Sequence, residues 1–244
     1  MQDDIFALIA EAMPKDSARQ SYAEAVVQEA RERIRAANTG RLRVMDLGAG
    51  DGRSFEKLKA ILGDIDWVGL DIAASPEIST RTRTDIPFVT YDGVNIPFED
   101  NWFDLIYSKQ VLEHVRKPDE LMANVARCLK PGGAFIGSVS QLEPYHSYSV
   151  FNWSVYGVAA VFSDAGLKLT VLRPGIDGVS LILRRLLPHP AFNNMFSSFE
   201  SLFNHMISAG RFNTSMTVAQ ENFQKLIVAG HLVFWAEKVC RQPG

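Results

Sequence analysis

Cysteine is nearly absent from the chain, with two in 244 residues. Cys128 and Cys240 lie far apart and outside any metal-ligand spacing, which excludes a disulfide-built scaffold and a thiolate zinc site. Both are expected to be reduced residues among apolar neighbours, in a reducing compartment. No stretch approaches the ~18 consecutive apolar residues of a membrane span. The first residues, MQDDIFALIAEAMPKDSARQ, begin acidic and lack a basic run ahead of their apolar positions, so no secretory signal is expected. A cytoplasmic location is the expectation. Neither charge sign dominates: 25 Lys and Arg stand against 28 Asp and Glu, a net of −3. That balance argues against generic nucleic-acid binding, which calls for a surplus of Lys and Arg. Repeats, low-complexity segments and charged tails are missing too. What remains is an ordinary globular composition, 47% hydrophobic and 22% charged, long enough to bury one full core.

Within that ordinary composition one stretch stands out. Val44-Met45-Asp46-Leu47-Gly48-Ala49-Gly50-Asp51-Gly52 places an acid and three alternating glycines where an apolar strand gives way to a helix. A turn without side chains lets a ligand lie against backbone, and the free amides at the following helix start face it. A bound small molecule is the expectation.

The flanking pattern sets the fold class. Tyr22, Val26, Ala30 and Ile34 recur every four residues and predict a helix over 17–37, stopped by Asn38-Thr39-Gly40. Apolar strands are predicted at 42–45, 67–70, 87–91, 103–107 and 134–139, and helices at 55–62, from Glu113 or Pro118 to Leu129, and at 151–165. Lys130-Pro131-Gly132-Gly133 reads as a hard stop between helix and strand. A sixth strand follows at 167–172 and a last one at 231–236. Strands that alternate with helices and are apolar throughout predict a parallel sheet covered on both faces. Each strand ends on a polar residue or glycine (Asp46/Gly48, Asp71, Asp92, Ser108, Ser140), and in such sheets ligands bind at the carboxyl ends. Between the last two strands lie over fifty residues beyond the needs of a minimal fold. Phe192, Phe196, Phe199, Phe203 and Met206 recur there at helical spacing, which predicts two or three amphipathic helices.

Seven motifs in order carry a resemblance to a known family: Val44 to Gly52, Leu70-Asp71, Tyr91-Asp92-Gly93, Asn95-Ile96-Pro97-Phe98, Phe103 to Tyr107, Val111-Leu112-Glu113-His114-Val115 and Leu129 to Gly133. With them the chain resembles the class I S-adenosylmethionine-dependent methyltransferases, of the small-molecule type that includes the UbiE and sugar methyltransferase-like group. The resemblance implies an α/β, Rossmann-like, doubly wound sheet of seven mostly parallel strands with the last one antiparallel. It is extended here by a helical insertion near the C-terminus. The methyltransferase domain would span 1–174 and 230–244, and 175–229 would form a helical lid or acceptor insertion. By the same resemblance Gly48, Gly50 and Gly52 admit the methionyl part of S-adenosylmethionine. Asp71 takes the ribose hydroxyls in a charge-assisted pair, and Ile72 lies against adenine. Asp92 meets the adenine amino group and the Gly93 amide a ring nitrogen. Asp46 organises the glycine loop, and Ser108 offers a backbone carbonyl to the methionyl ammonium. A nucleotide-dependent dehydrogenase would need G-x-G-x-x-G/A, but the glycines alternate at 48, 50 and 52 and Arg53 occupies the third glycine's place.

The expected reaction is methyl transfer to a small-molecule acceptor, most simply a hydroxyl of a sugar or related metabolite, with S-adenosylhomocysteine as product and no metal. Deprotonating a hydroxyl takes a base, and the loop after the fifth strand supplies His146, which titrates near the working pH. Glu143, Tyr145 and Tyr148 are the candidate acceptor-binding residues. His189, His205 and His231 lie scattered in sequence, without carboxylate or cysteine partners at ligand spacing. The 181–187 segment, with Arg184-Arg185, is a candidate contact for a lipid-linked acceptor or a second subunit. Two alternatives stand beside this reading: a catalytically inactive cofactor-binding protein of the same fold, and a protein or nucleic-acid methyltransferase. The latter commonly carries an N/D-P-P-Y motif, where this chain has Ser108-Lys109-Gln110.

Overall fold

Parallel pairing of apolar strands organises the molecule, seen in a computed structural model that describes residues 2–36, 40–143, 147–187, 200–211 and 215–239. The strands are β1 (Leu42–Leu47), β2 (Ile65–Asp71), β3 (Phe88–Thr90), β4 (Phe103–Lys109), β5 (Leu129–Ser140), β6 (Leu167–Pro174) and β7 (His231–Lys238). They form one sheet in the order β3-β2-β1-β4-β5-β7-β6. β7 runs antiparallel to both its neighbours, and every other pairing is parallel. The expected architecture is therefore the observed one. The order reverses between β1 and β4, so the connections leaving these two paired strands run to opposite sides of the sheet, the switch point at which doubly wound sheets place their ligands.

The helices are α1 (Gln2–Ile9), α2 (Ala23–Ala36), α3 (Ser54–Leu62), α4 (Pro76–Ser79), α5 (Pro118–Cys128), α6 (Val155–Asp164), α7 (Gly178–Leu186), α8 (Leu202–Arg211) and α9 (Val218–Ile227). Two buried layers flank the sheet. On one face Val26, Val27, Ala30, Leu58 and Leu62 pack against Leu42, Val44, Trp67 and Leu105. On the other, Leu121, Val125, Val158 and Phe162 pack against Met45, Ile106, Phe135 and Phe234. Cys128 is buried as a free thiol, and Cys240 lies outside the described residues.

Several predicted boundaries shift, each for a local reason. The helix expected from Ser17 begins at Ala23, because the preceding strap has other partners. Ser17 Oγ donates to Glu221, the Ala18 amide to Asn222, the Gln20 amide to Glu200 and the Ser21 amide to Pro174 O. The helix expected from Phe151 starts at Val155, where the Ser154 hydroxyl caps it by accepting from the Gly157 amide. Glu113 lies in a 3-10 turn, Leu112–His114, and the helix proper starts at Pro118. The Lys130–Gly133 stop ends α5 at Cys128, yet these residues are an irregularity within β5: pairing with β4 breaks between Phe103 and Leu105 and resumes at Ala134.

Residues 175–229 contribute α7, α8 and α9 and join at the carboxyl edge, since they link the end of β6 to the start of β7. They are held firmly. Asn222 donates to Pro14 O and Asp16 O, buried Lys225 donates to Ala18 O and pairs with Glu221 at 2.8 Å, and Phe6 of α1 stacks edge-on with Phe223. Phe192, Phe196 and Phe199 lie outside the described residues.

Candidate functional site

The glycine turn is held by its backbone conformation and by side chains that reach it from the neighbouring strand and loop. Gly48, Gly50 and Gly52 adopt φ of 74°, 53° and 78°, the left-handed region that costs glycine nothing. At Gly48 a Cβ would also collide with Val111, and at Gly52 it would come within 2.8 Å of the Phe88 ring. The loop is pinned from below: the Gly48 amide donates to Leu70 O at 2.7 Å, and the Gly50 amide to Asp71 Oδ2 at 2.7 Å. Arg81, stacked on Phe88, donates to Gly50 O at 2.7 Å.

Three acids stand at the carboxyl edge in different states. Asp46 is buried and accepts a hydrogen bond from Ser54 Oγ at the start of α3. Burial pushes its carboxyl up to about 7, against the Ser54 hydrogen bond and helped by the Asp71 charge. Asp71 accepts from Gly50 through one oxygen and from the Ile72 amide through the other. It is half-exposed, so lone pairs remain for a ligand. Ile72 beside it is 41% exposed, a bare apolar platform. Asp92 is exposed and folded into a turn, accepting from the Val94 and Asn95 amides and from Asn95 Nδ2. Those Asn95 bonds hold its carboxyl below the ordinary value. Ser108 is fully buried, with no partner for its hydroxyl among the described residues. Cofactor and site residues fit on these grounds: a side-chain-free turn, a carboxylate with capacity to spare and an apolar platform converge on one edge.

A second polar group occupies the ends of β4, β5 and β7. Ser140 Oγ lies 2.7 Å from Gln110 Oε1, 2.9 Å from Glu113 Oε1 and 2.8 Å from Glu143 Oε2. Glu143 Oε2 is also 3.0 Å from His231 Nε2, and its Oε1 pairs with Arg185 of α7. Glu143 further lines a cavity of about 430 Å3 with Leu142, Val179, Ile182, Phe203 and Val228.

Residues 45–137 match the family described as a methyltransferase domain. The matched stretch holds the glycine turn, Asp71, Asp92, the second half of β1, strands β2 to β4 and most of β5. It is similar to a demethylmenaquinone methyltransferase of Renibacterium salmoninarum, 35% identical over 95 residues, which are 38% of this chain and 39% of that one. It is similar as well to the ubiquinone/menaquinone biosynthesis C-methyltransferase UbiE of Stutzerimonas stutzeri, 28% identical over 102 residues, 38% and 40% of the two chains. The chain thus spans about two fifths of the length of the curated relatives it matches. An S-adenosylmethionine-dependent methyltransferase from Aquifex aeolicus shares the fold, with 13% identity and a TM-score of 0.53 over 98% of this chain and 99% of that one.

The fold brings Asp46, Gly48, Gly50, Gly52, Asp71 and Ile72 together at the carboxyl ends of β1 and β2. It leaves the acceptor-side expectations less complete. Tyr145 and His146 lie outside the described residues, and Tyr148 is 78% exposed. Glu143 lines the cavity, and Arg185, His231 and Ser140 engage its oxygens. His231, read in sequence as lacking a carboxylate partner, has one in Glu143 across 88 residues of chain. Ser54, Arg81, Arg185 and His231 were not legible as site residues. Only Ser54 had a local signal, as a small polar residue opening the helix after the glycines. Among the described residues no group of three or more His, Cys, Asp or Glu side chains is placed to hold a metal.

Proposed function

We propose that the chain transfers a methyl group from S-adenosylmethionine to a small acceptor, and that the acceptor is a flat, largely apolar ring of the quinol type. The observation that carries the cofactor half is the tie between Gly50 and Asp71: the loop for the methionyl part and the carboxylate for the ribose are fixed to each other. In this reading Ile72 and the Asp92-Gly93 turn flank the adenine, Asp46 and the Ser108 carbonyl face the methionyl ammonium, and Gly48 and Gly52 leave room for the chain between. Bound S-adenosylmethionine supplies an electrophilic methyl on a sulfonium. The protein's part is to align the acceptor, and alignment is worth on the order of 7–11 kcal/mol of barrier.

The cavity beside Glu143 supports the acceptor half. Its walls are mostly Leu142, Val179, Ile182, Phe203 and Val228, a lining suited to an apolar ring. Its polar lining residues Gln141, Asn152 and Asp177 are bonded to Leu226 O, Glu143 O and the Ser180 and Phe203 amides, which favours an apolar ring over the sugar hydroxyl expected from sequence. The names of the relatives, demethylmenaquinone methyltransferase and ubiquinone/menaquinone C-methyltransferase, support the same class. Residues 175–229 are then the acceptor cover over a domain of 1–174 and 230–244. Incubation with methyl-labelled S-adenosylmethionine and a short-chain 2-prenyl-1,4-naphthoquinol tests this reading. A labelled product heavier by one methyl less one hydrogen is expected, and label transfer to glucosides but not to the quinol would overturn it.

A further inference from the structure

Helix α7 wears its apolar stripe on the outside. Val179, Ile182, Leu183 and Leu186 stand at i, i+3, i+4 and i+7, the spacing of one helix face, which a globular protein ordinarily turns to its core. Here the four side chains are 41%, 39%, 38% and 70% exposed. The inward side is held by polar bonds instead, with Leu181 buried beside them. The Ser180 amide donates to Asp177 Oδ1 at 2.7 Å and the Ser180 hydroxyl to Asp177 Oδ2 at 2.9 Å. α8 adds to the bare surface. Its Leu202 amide donates to Ser180 Oγ at 3.2 Å, and Leu202 and Met206, one turn apart, are both more than half exposed. Apolar side chains gathered on a surface in this way mark an interaction site.

Two further observations say what covers this face. The first is charge. Residues 178–211 hold three arginines, Arg184, Arg185 and Arg211, against one acid, Glu200, a local surplus of positive charge in a chain of net −3. Arg185 and Arg211 pair with Glu143 and Glu221, while Arg184, in the last turn of α7, forms no ion pair among the described residues. A second copy docked through the same patch would set like charge against like. An anionic lipid surface complements it. The second observation is continuity with the cavity. Val179 and Ile182 belong to the exposed stripe and also line the cavity of about 430 Å3, so cavity wall and outer face are borne by the same two side chains.

We propose that α7 docks on an anionic membrane surface, with its apolar stripe in the headgroup boundary and Arg184 on the lipid phosphates, and that the acceptor passes from the bilayer to the cavity along Val179 and Ile182. Helices that lie in this boundary bury their apolar face by about 5–10 Å and hold basic residues at the headgroups. A stripe of four side chains gives reversible attachment rather than anchoring. The docking rests on the helix face alone, and the passage of the acceptor rests on the quinol reading above.

Sedimentation of the full chain with vesicles tests the docking without any acceptor. Wild type is expected to bind vesicles of phosphatidylcholine mixed with phosphatidylglycerol, and phosphatidylcholine alone more weakly. The double variant Leu183→Gln with Leu186→Gln removes apolar surface without changing charge, and should bind about tenfold more weakly or worse. Arg184→Gln should lose on the order of fivefold on the anionic vesicles and little on the neutral ones. Both should keep the wild-type melting temperature and affinity for S-adenosylhomocysteine, since these side chains are exposed or half-buried and face away from the glycine turn's partners. A wild-type chain that stays in the supernatant with anionic vesicles overturns the proposal, as does a double variant that binds like wild type. A dimer that the double variant splits, with no vesicle binding, assigns the face to a second copy and overturns it too. The acceptor route has its own readout. KM for the 2-prenyl-1,4-naphthoquinol held in vesicles should rise in the double variant, while KM for tail-free 1,4-naphthoquinol in solution stays the same, and equal changes in both overturn the route. If neither quinol is methylated, the acceptor class falls and vesicle binding alone judges the docking.

Discussion

The backbone amide of Gly50 donates to the Asp71 carboxylate at 2.7 Å, so the turn proposed to leave room for the cofactor is tied to the acid proposed to take its ribose. Replacing Asp71 therefore does two things. Asp71→Ala removes both the ligand acceptor and the pin on the loop. Charge-assisted hydrogen bonds contribute about 1.5–3 kcal/mol each, so affinity for S-adenosylmethionine is expected to fall by ~100-fold or more. Asp71→Asn keeps one oxygen for the Gly50 amide and should fall less. Calorimetric titration of the two variants separates these contributions.

Gly48 is the turn position least able to accept a side chain. Its φ of 74° is strained for alanine, and the new methyl would overlap Val111. Strain of ~1–3 kcal/mol adds to the overlap, so Gly48→Ala is expected to lower the melting temperature by several degrees and to abolish cofactor binding. Gly48→Ala combined with Val111→Ala should regain melting temperature, because the collision is removed and only the backbone strain remains.

Asp46 gives the chain a pH signature. Its carboxyl ionises near 3.8 in the unfolded chain and at about 7 when folded. Between those values the folded chain holds a proton that the unfolded chain has released, so stability falls as pH rises across the window and levels off above about 7. Thermal melts from pH 5 to pH 8 should show this slope in wild type and a flatter one in Asp46→Asn. A methionyl ammonium set against Asp46 favours its ionised form, so cofactor binding near pH 6 should release protons, seen as a binding heat that depends on the buffer.

Ile182 tests the cavity apart from the cofactor. It lines the wall with 39% of its surface exposed, so a polar replacement there should be tolerated by the fold. Ile182→Asp is expected to raise KM for the naphthoquinol by about tenfold or more, with cofactor affinity within about twofold.

Local chemistry explains which of these features were legible in sequence. The glycine turn, Asp46, Asp71 and the seven strands were readable because each is encoded within a few residues, as strand period, turn glycine or strand-end acid. The antiparallel β7 followed from the family resemblance. The start of α2 was misplaced because its helical spacing extends back to Tyr22, while the partners that unwind 17–22 lie on Glu200, Glu221 and Asn222, about two hundred residues away. The same distance hid the acceptor side. Glu143 reads as an exposed loop acid until β7 brings His231 beside it and α7 brings Arg185. Asp92 shows the converse: a strand-end acid that looked free for adenine is engaged by its own turn through Asn95.

The central claim is that the crevice over Gly48–Gly52 and Asp71 binds S-adenosylmethionine. Calorimetric titration of the full chain with this cofactor tests it most directly. The account predicts one site per chain, saturating below millimolar cofactor, that is lost in Asp71→Ala while the variant stays folded. Absence of heat at sub-millimolar S-adenosylmethionine, or undiminished binding by Asp71→Ala, would contradict it.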